Sequence, residues 1–169
     1  MTLISHTITA YLLAILFNLN PIFAVIGSIF PDLIEIPFKM KHRKESHELL
    51  FSCFITALSF FILPEIMKNS LILNNIQAFT LGYLSHILLD SLTISGVYFF
   101  PLKKRISLMP HFKIRTGTFS EFIFISFFSV FLGILIFIKP FLIYYLNYYE
   151  LYNQGIIDKK EFIQGIFNR

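Results

Sequence analysis

Long apolar runs broken by short polar turns organise this chain. Leu3 to Phe17 is apolar and stops at Asn18-Leu19-Asn20-Pro21. Pro21 suits the first residue of a second helix, where its missing N–H costs nothing. That helix is expected to run through Ile22 to Phe30 and to meet Pro31-Asp32. Both pieces fall short of the roughly 20 residues of a full span, so a tilted, re-entrant or bundle-packed hairpin is expected. After polar Lys39 to His47, Glu48 to Met67 reads as a spanning helix, with Ser46 as a candidate cap and Pro64 near its end. Asn69 to Asn75 reads as a polar turn and Ile76 to Val97 as another spanning helix. A second basic loop, Phe100 to Thr118, precedes the uncharged run Phe122 to Ile138. That run continues past Lys139-Pro140 to Tyr149 and is the clearest transmembrane segment. Tyr144, Tyr145, Tyr148 and Tyr149 suit an interfacial aromatic belt. The pattern predicts an all-α integral membrane bundle of about four to five helices over residues 1–149, with a polar tail at 150–169 forming a short surface helix.

Composition agrees. The chain is 56% hydrophobic and 14% charged, against about 25% charged in ordinary soluble domains, and its mean hydropathy is +0.70. The net charge of +4 forms no long basic stripe, so no nucleic-acid partner is expected. The expected partner is the lipid bilayer. Cys53 stands alone, which excludes an internal disulfide and a cysteine-based zinc knuckle; its neighbours Phe51, Phe54 and Ile55 suggest a packing role. No basic residue precedes the first apolar run and no A-x-A site follows it, so no removable signal peptide is expected.

Helix order then places the chemistry. Turns at Asn18 and at Asn69 to Asn75 put both basic loops on one side of the membrane. The positive-inside rule makes that side the cytoplasm, at an inner-type plasma membrane. The C-terminus falls on the opposite side, although Lys159, Lys160 and Arg169 run against that. His6 lies near the start of the first helix, Asp32 at the end of the second, and His42 and His47 before the third. His86 and Asp90 lie in the last turns of the fourth, and Glu121 opens the fifth. All these helix ends meet one membrane face. Ionisable groups are costly there and need a reason.

His86 and Asp90 are spaced i, i+4, so both side chains share a helix face. Such a pair is either a plain hydrogen bond or two metal ligands. In company with His6, Asp32 and His47 it makes three imidazoles and two carboxylates, a donor set for zinc or another first-row divalent ion, mononuclear or dinuclear. Arg43 suits a phosphate, since guanidinium binds it in a fork, or is only a loop charge. Glu121 follows Thr118 by three, which reads as a capping box, with a base or outer-shell role as the alternative. His42 is a second candidate for such a role. His111 is expected to be a loop residue, and Glu35, Glu45 and Glu65 show no distinguishing context. There is no G-x-S-x-G elbow, P-loop or H-E-x-x-H.

His6, Pro31-Asp32, His42-Arg43-x-x-Ser46-His47, Gly82-Tyr83-Leu84-Ser85-His86-Ile87-Leu88-Leu89-Asp90, Leu92-Thr93, Gly96, and Gly117 with Glu121 resemble the YdjM-like family of inner-membrane metal-dependent hydrolases. Two departures stand out. The family pattern P-D-x-D lacks its second Asp here, with Glu35 one residue beyond, and Lys44 replaces the Gly usual after His-Arg. A more distant similarity is to zinc-dependent phospholipase C and P1-type nucleases, which are all-helical and carry His, Asp, His and H-x-x-x-D in the same order. These resemblances imply phosphoester hydrolysis at a divalent metal, with a phospholipid as a candidate substrate. The rival expectations are a transporter or ion relay, and a membrane protein whose metal only ties helices together.

Overall fold

The computed structural model describes residues 1–38, 47–99, 104–109, 111 and 114–167. Six helices appear among them: α1 (Leu3–Leu16), α2 (Pro21–Phe38), α3 (Leu49–Ile66), α4 (Ser70–Ser91), α5 (Phe119–Asn153) and α6 (Lys159–Phe167). A two-stranded antiparallel hairpin, β1 (Val97–Phe99) with β2 (Lys104–Ile106), stands between α4 and α5. The all-α expectation omitted this hairpin. Three residues per strand carry no readable alternation. The chain divides into two compact units, Met1–Leu132 and Gly133–Arg169.

Local chemistry sets the boundaries. Asn18 takes a left-handed φ of 57°, and the N–H groups of Asn18 and Leu19 return to the carbonyls of Ile15 (3.1 Å) and Ala14 (2.8 Å), closing α1 with a Schellman motif. Asn20 Oδ1 accepts from Ile22 N at 3.1 Å, and Pro21 opens α2. The cap of α3 is Glu48, whose carboxylate accepts from Leu50 N and Phe51 N; the alternative cap, Ser46, lies outside the described residues. Asn69 caps α4 by accepting from Leu71 N and Ile72 N, both at 3.1 Å. The expected polar turn at Asn69 to Asn75 is therefore mostly helix. The same helix ends at Ser91, short of the expected Val97, because Thr93 and Gly96 turn the chain into β1.

α2 does not stop at Pro31. It continues to Phe38, so Asp32 and Glu35, three residues apart, share one helical face. Just before that proline, α2 packs closely on α4. Gly27 of α2 lies so close to the Phe79 backbone of α4 that a Cβ would overlap the Phe79 carbonyl, and Gly82 is equally tight against the Ala24 carbonyl. Ala10, Ala14, Ala24 and Ala78 fill the neighbouring contact between α1, α2 and α4. Small residues let backbones approach in this way inside membranes, where lipid offers helices no hydrophobic drive to associate.

The first unit is polar inside and apolar outside. Ser59 Oγ pairs with Thr80 Oγ1 at 2.7 Å, Thr56 Oγ1 donates to Thr80 O at 3.1 Å, and Gln77 Nε2 donates to Ser59 O at 3.2 Å. These bonds join α3 to α4 at the segment Leu58–Ile62, where α3 winds as a π-helix. Phe51, Phe54, Phe61, Phe122, Phe127 and Phe131 face outward. Cys53 is also exposed, so the packing role expected of it does not hold. Its neighbours are apolar because they face lipid rather than a core. Among the described residues, two helices are long and apolar enough to cross a membrane, α3 and α5.

In the second unit, Phe162 of α6 packs among Tyr145, Tyr148, Tyr149 and Tyr152 at ring separations of 5.1–6.3 Å. The tyrosines expected to form a belt thus also hold the C-terminal helix. Asp158 and Glu161 exchange backbone bonds of 2.7 and 3.1 Å, a capping box at its start.

Gly82→Leu is expected to cost about 1–3 kcal/mol of stability by forcing α2 from α4. Gly133→Ala, where an added Cβ meets nothing within 4 Å, is expected to gain up to about 1 kcal/mol from helix propensity. Unfolding midpoints of both variants in detergent check the contrast.

Candidate metal centre

The contact at Gly27 and Gly82 fixes how Ser28 of α2 and His86 of α4 meet. Ser28 follows Gly27, and His86 follows Gly82 by one turn. His86 Nδ1 then lies 2.5 Å from the Ser28 carbonyl oxygen. A carbonyl only accepts, so this partner assigns the proton to Nδ1 and leaves the lone pair on Nε2. His47 is built differently. It precedes the Glu48 cap, and Glu48 bridges to Tyr98 of the hairpin. Its Nδ1 lies 3.0 Å from Glu35 Oε1. A carboxylate also accepts, so the lone pair of His47 is again on Nε2.

Those two Nε2 atoms face one another at 3.0 Å. With both rings neutral, two lone pairs at that distance repel, and a bound cation or a proton on one nitrogen relieves them. Two carboxylates surround the same point. Asp32 Oδ1 is 3.4 Å from His47 Nε2 and 3.8 Å from His86 Nε2. Asp90 Oδ2 is 3.7 and 3.8 Å from the same two atoms. Zinc bonds of about 2.1 Å in a tetrahedron separate neighbouring donors by about 3.4 Å. The donor spacings lie close to that value. Two carboxylates with two imidazole nitrogens make a donor set that could hold a divalent ion.

His6 completes the set. Its ring stacks on His86 with centroids 3.7 Å apart, and its Nε2 is 3.4 Å from Asp90 Oδ1. Both ring nitrogens are buried, and beyond that Asp90 contact neither has a hydrogen-bond partner. A buried imidazole so poorly satisfied is costly, and coordination would remove the cost. His6, His86 and Asp90 form one potential ligand group, and Asp32, His47 and His86 another, each with its donor atoms within 4.8 Å of one another. The terminal ammonium of Met1 also pairs with Asp90. His6, His47, His86 and Asp90 are all buried, whereas the Asp32 side chain is 38% exposed and marks the open side of the cluster.

Glu121 belongs to neither group. Its Oε1 accepts from Thr2 N (2.6 Å), Thr2 Oγ1 (2.9 Å) and Ser5 Oγ (2.5 Å), and its Oε2 accepts from Gly117 N at 2.7 Å. The reach-back bond of a capping box is present but goes to Gly117 instead of Thr118. These bonds clamp the first turn of α1, whose other side carries His6. His42 and Arg43 lie outside the described residues. His111 is exposed.

Glu35 and the Ser28 carbonyl were not legible as site groups. Glu35 is buried and orients His47. Its signal was the i, i+3 spacing from Asp32, which carries meaning only if the helix runs through Pro31. Where the family pattern has a second Asp, this chain places a carboxylate one residue later, on the same face.

Glu35→Ala is expected to weaken divalent-ion affinity about 10–100-fold, the usual cost of losing an imidazole's outer partner. Glu35→Gln, whose amide oxygen still accepts from Nδ1–H, is expected to recover part of it. Competition titration against a chromogenic chelator measures both.

The profile of the YdjM inner membrane protein family matches residues 1–152. No curated protein matches the chain, and no solved structure does. A match over nine-tenths of the sequence, spanning every residue of the His/Asp cluster, establishes that the chain belongs to the YdjM inner membrane protein family.

Proposed function

We propose that this protein is a membrane-bound, metal-dependent hydrolase that cleaves a phosphoester, with membrane phospholipid as the substrate class and the site at the cytoplasmic face. The observation that carries the reading is the pair of Nε2 lone pairs facing each other at 3.0 Å between two carboxylates. His6, Asp32, His47, His86 and Asp90 would hold the ion, with zinc the best fit to three imidazoles and two carboxylates. A bound ion of this kind activates water near neutral pH and offsets charge on a phosphate.

The chain's own groups do the rest. The Ser28 carbonyl and Glu35 hold the rings of His86 and His47 with their Nε2 atoms inward. Glu121 acts as a positioning residue, keeping the turn that carries His6 in place. Arg43, four residues before His47, would bind the substrate phosphate. His42 is the candidate proton carrier beside it. The exposed side chain of Asp32 leaves one side of the cluster open. Structural zinc sites are closed and catalytic ones keep a position free, so the opening favours a reactive site over a staple. Basic residues in both connecting segments favour the cytoplasmic side.

Stoichiometric divalent metal is expected in protein purified without chelator, with its loss in His86→Ala and Asp90→Ala, read by elemental analysis. Absence of metal from the wild type would sink the proposal. Hydrolysis of at least one member of a panel of phospholipids and simple phosphodiesters is expected from the metal-loaded protein. Metal without activity on any of them would leave the structural-metal reading in its place.

Arg43→Ala is expected to raise KM by about tenfold or more, as loss of a charged phosphate contact costs about 1.5–3 kcal/mol. Its metal content should not change. An unchanged KM would remove Arg43 from the phosphate site.

A further inference from the structure

Beside the metal centre, on the far side of the first turn of α1, lies a groove of about 570 Å³ between α1 and α5. Ile4 and Ile8 form one wall, and Phe122, Ile125, Ser126 and Ser129 form the other. Its polar end is made by Thr2, Ser5, Thr118 and Glu121, the clamp described above. We infer that this groove binds one acyl chain of a membrane phospholipid, with the phosphate headgroup at the Thr118 end.

Three observations select that occupant. The wall belongs to α5, a candidate membrane span whose Phe122, Ile123, Phe127 and Phe131 are exposed, so the surface around the groove meets hydrocarbon. From Thr118 to Ser129 the wall is about 16 Å long at 1.5 Å per residue, the depth of one leaflet of a hydrocarbon core about 30 Å thick. Charge adds to the match. Arg115, three residues before Thr118, is exposed, and guanidinium binds phosphate in a fork. Thr2 and Ser5, bonded to Glu121, stand next in sequence to Met1 and His6, which contact Asp90. A lipid seated here has its headgroup end lined by Thr2 and Ser5, the chain neighbours of Met1 and of the candidate ligand His6. The inference deepens the hydrolase reading, and rests on it only in calling the bound lipid a substrate.

The test uses the full chain in phosphatidylethanolamine and phosphatidylglycerol vesicles doped with a phospholipid carrying a diazirine on one acyl chain. After photolysis, peptide mapping is expected to place label on the segment holding Ile4 and Ile8 and on Ile125 and Ser126, in excess over Phe127 and Phe131 on the other side of α5. Ser126→Phe with Ser129→Phe fills the groove from its exposed wall. It is expected to cut that labelling about tenfold, the change that losing about two buried methylenes gives, with metal content unchanged. Phe131→Trp is expected to leave labelling as it was. Label spread evenly around α5, or absent from Ile125 and Ser126, would overturn the inference. Groove labelling without hydrolysis of the same lipid would uphold the groove and count against the hydrolase reading alone.

Discussion

The close approach of α2 and α4 at Gly27 and Gly82 governs the rest of the structure. Neither glycine leaves room for a Cβ, so the two backbones are in van der Waals contact. One residue past Gly27, the Ser28 carbonyl then meets the ring of His86, which stands one turn past Gly82. Moving the helices apart by the width of one methyl would break that bond and free the His86 ring to rotate. Membrane interiors supply no apolar driving force between helices, so small residues and interhelical hydrogen bonds must do the joining. The Ser59, Thr80 and Gln77 bonds do the same work between α3 and α4.

Around that contact the usual distribution of polarity is reversed. Histidines, carboxylates and hydroxyls lie inside, and phenylalanines lie outside. Burying Asp90 and the three histidines is costly in the absence of a cation. The same burial sharpens the preference for one, because charges attract more strongly where water is excluded. Glu35, Ser28 and Glu121 touch ligand side chains or the turn that carries them, and each fixes an orientation. The centre is therefore built in two layers, an inner set of donors and an outer set that aims them. The groove on the other face of α1 shares the Glu121 clamp, so α1 stands between a candidate metal site and a candidate lipid site.

Several features were readable along the chain for identifiable reasons. Asn18 to Pro21 ended one helix and began the next because a left-handed Asn and an N1 proline act locally. The His86–Asp90 spacing placed both residues on one face because helical periodicity is local too. Other expectations failed where tertiary contact overrode a local signal. Pro31 read as a stop, yet α2 runs two turns further and brings Glu35 to His47. Cys53 read as a core residue because lipid-facing and core-facing neighbourhoods look alike in sequence. The hairpin was invisible because its strands are three residues long.

Hydropathy and spacing alone determined that this is a helical membrane protein with His6, His47, His86 and Asp90 near helix ends, since those properties depend on neighbours in sequence; Asp32 lies inside α2 instead. Only the tertiary structure decided that the five side chains meet, which nitrogen of His47 and of His86 faces inward, and that Glu35 takes part while Glu121 serves as a clamp. Those outcomes depend on contacts between residues tens of positions apart. The distance between two backbones sets them, and no local pattern encodes it.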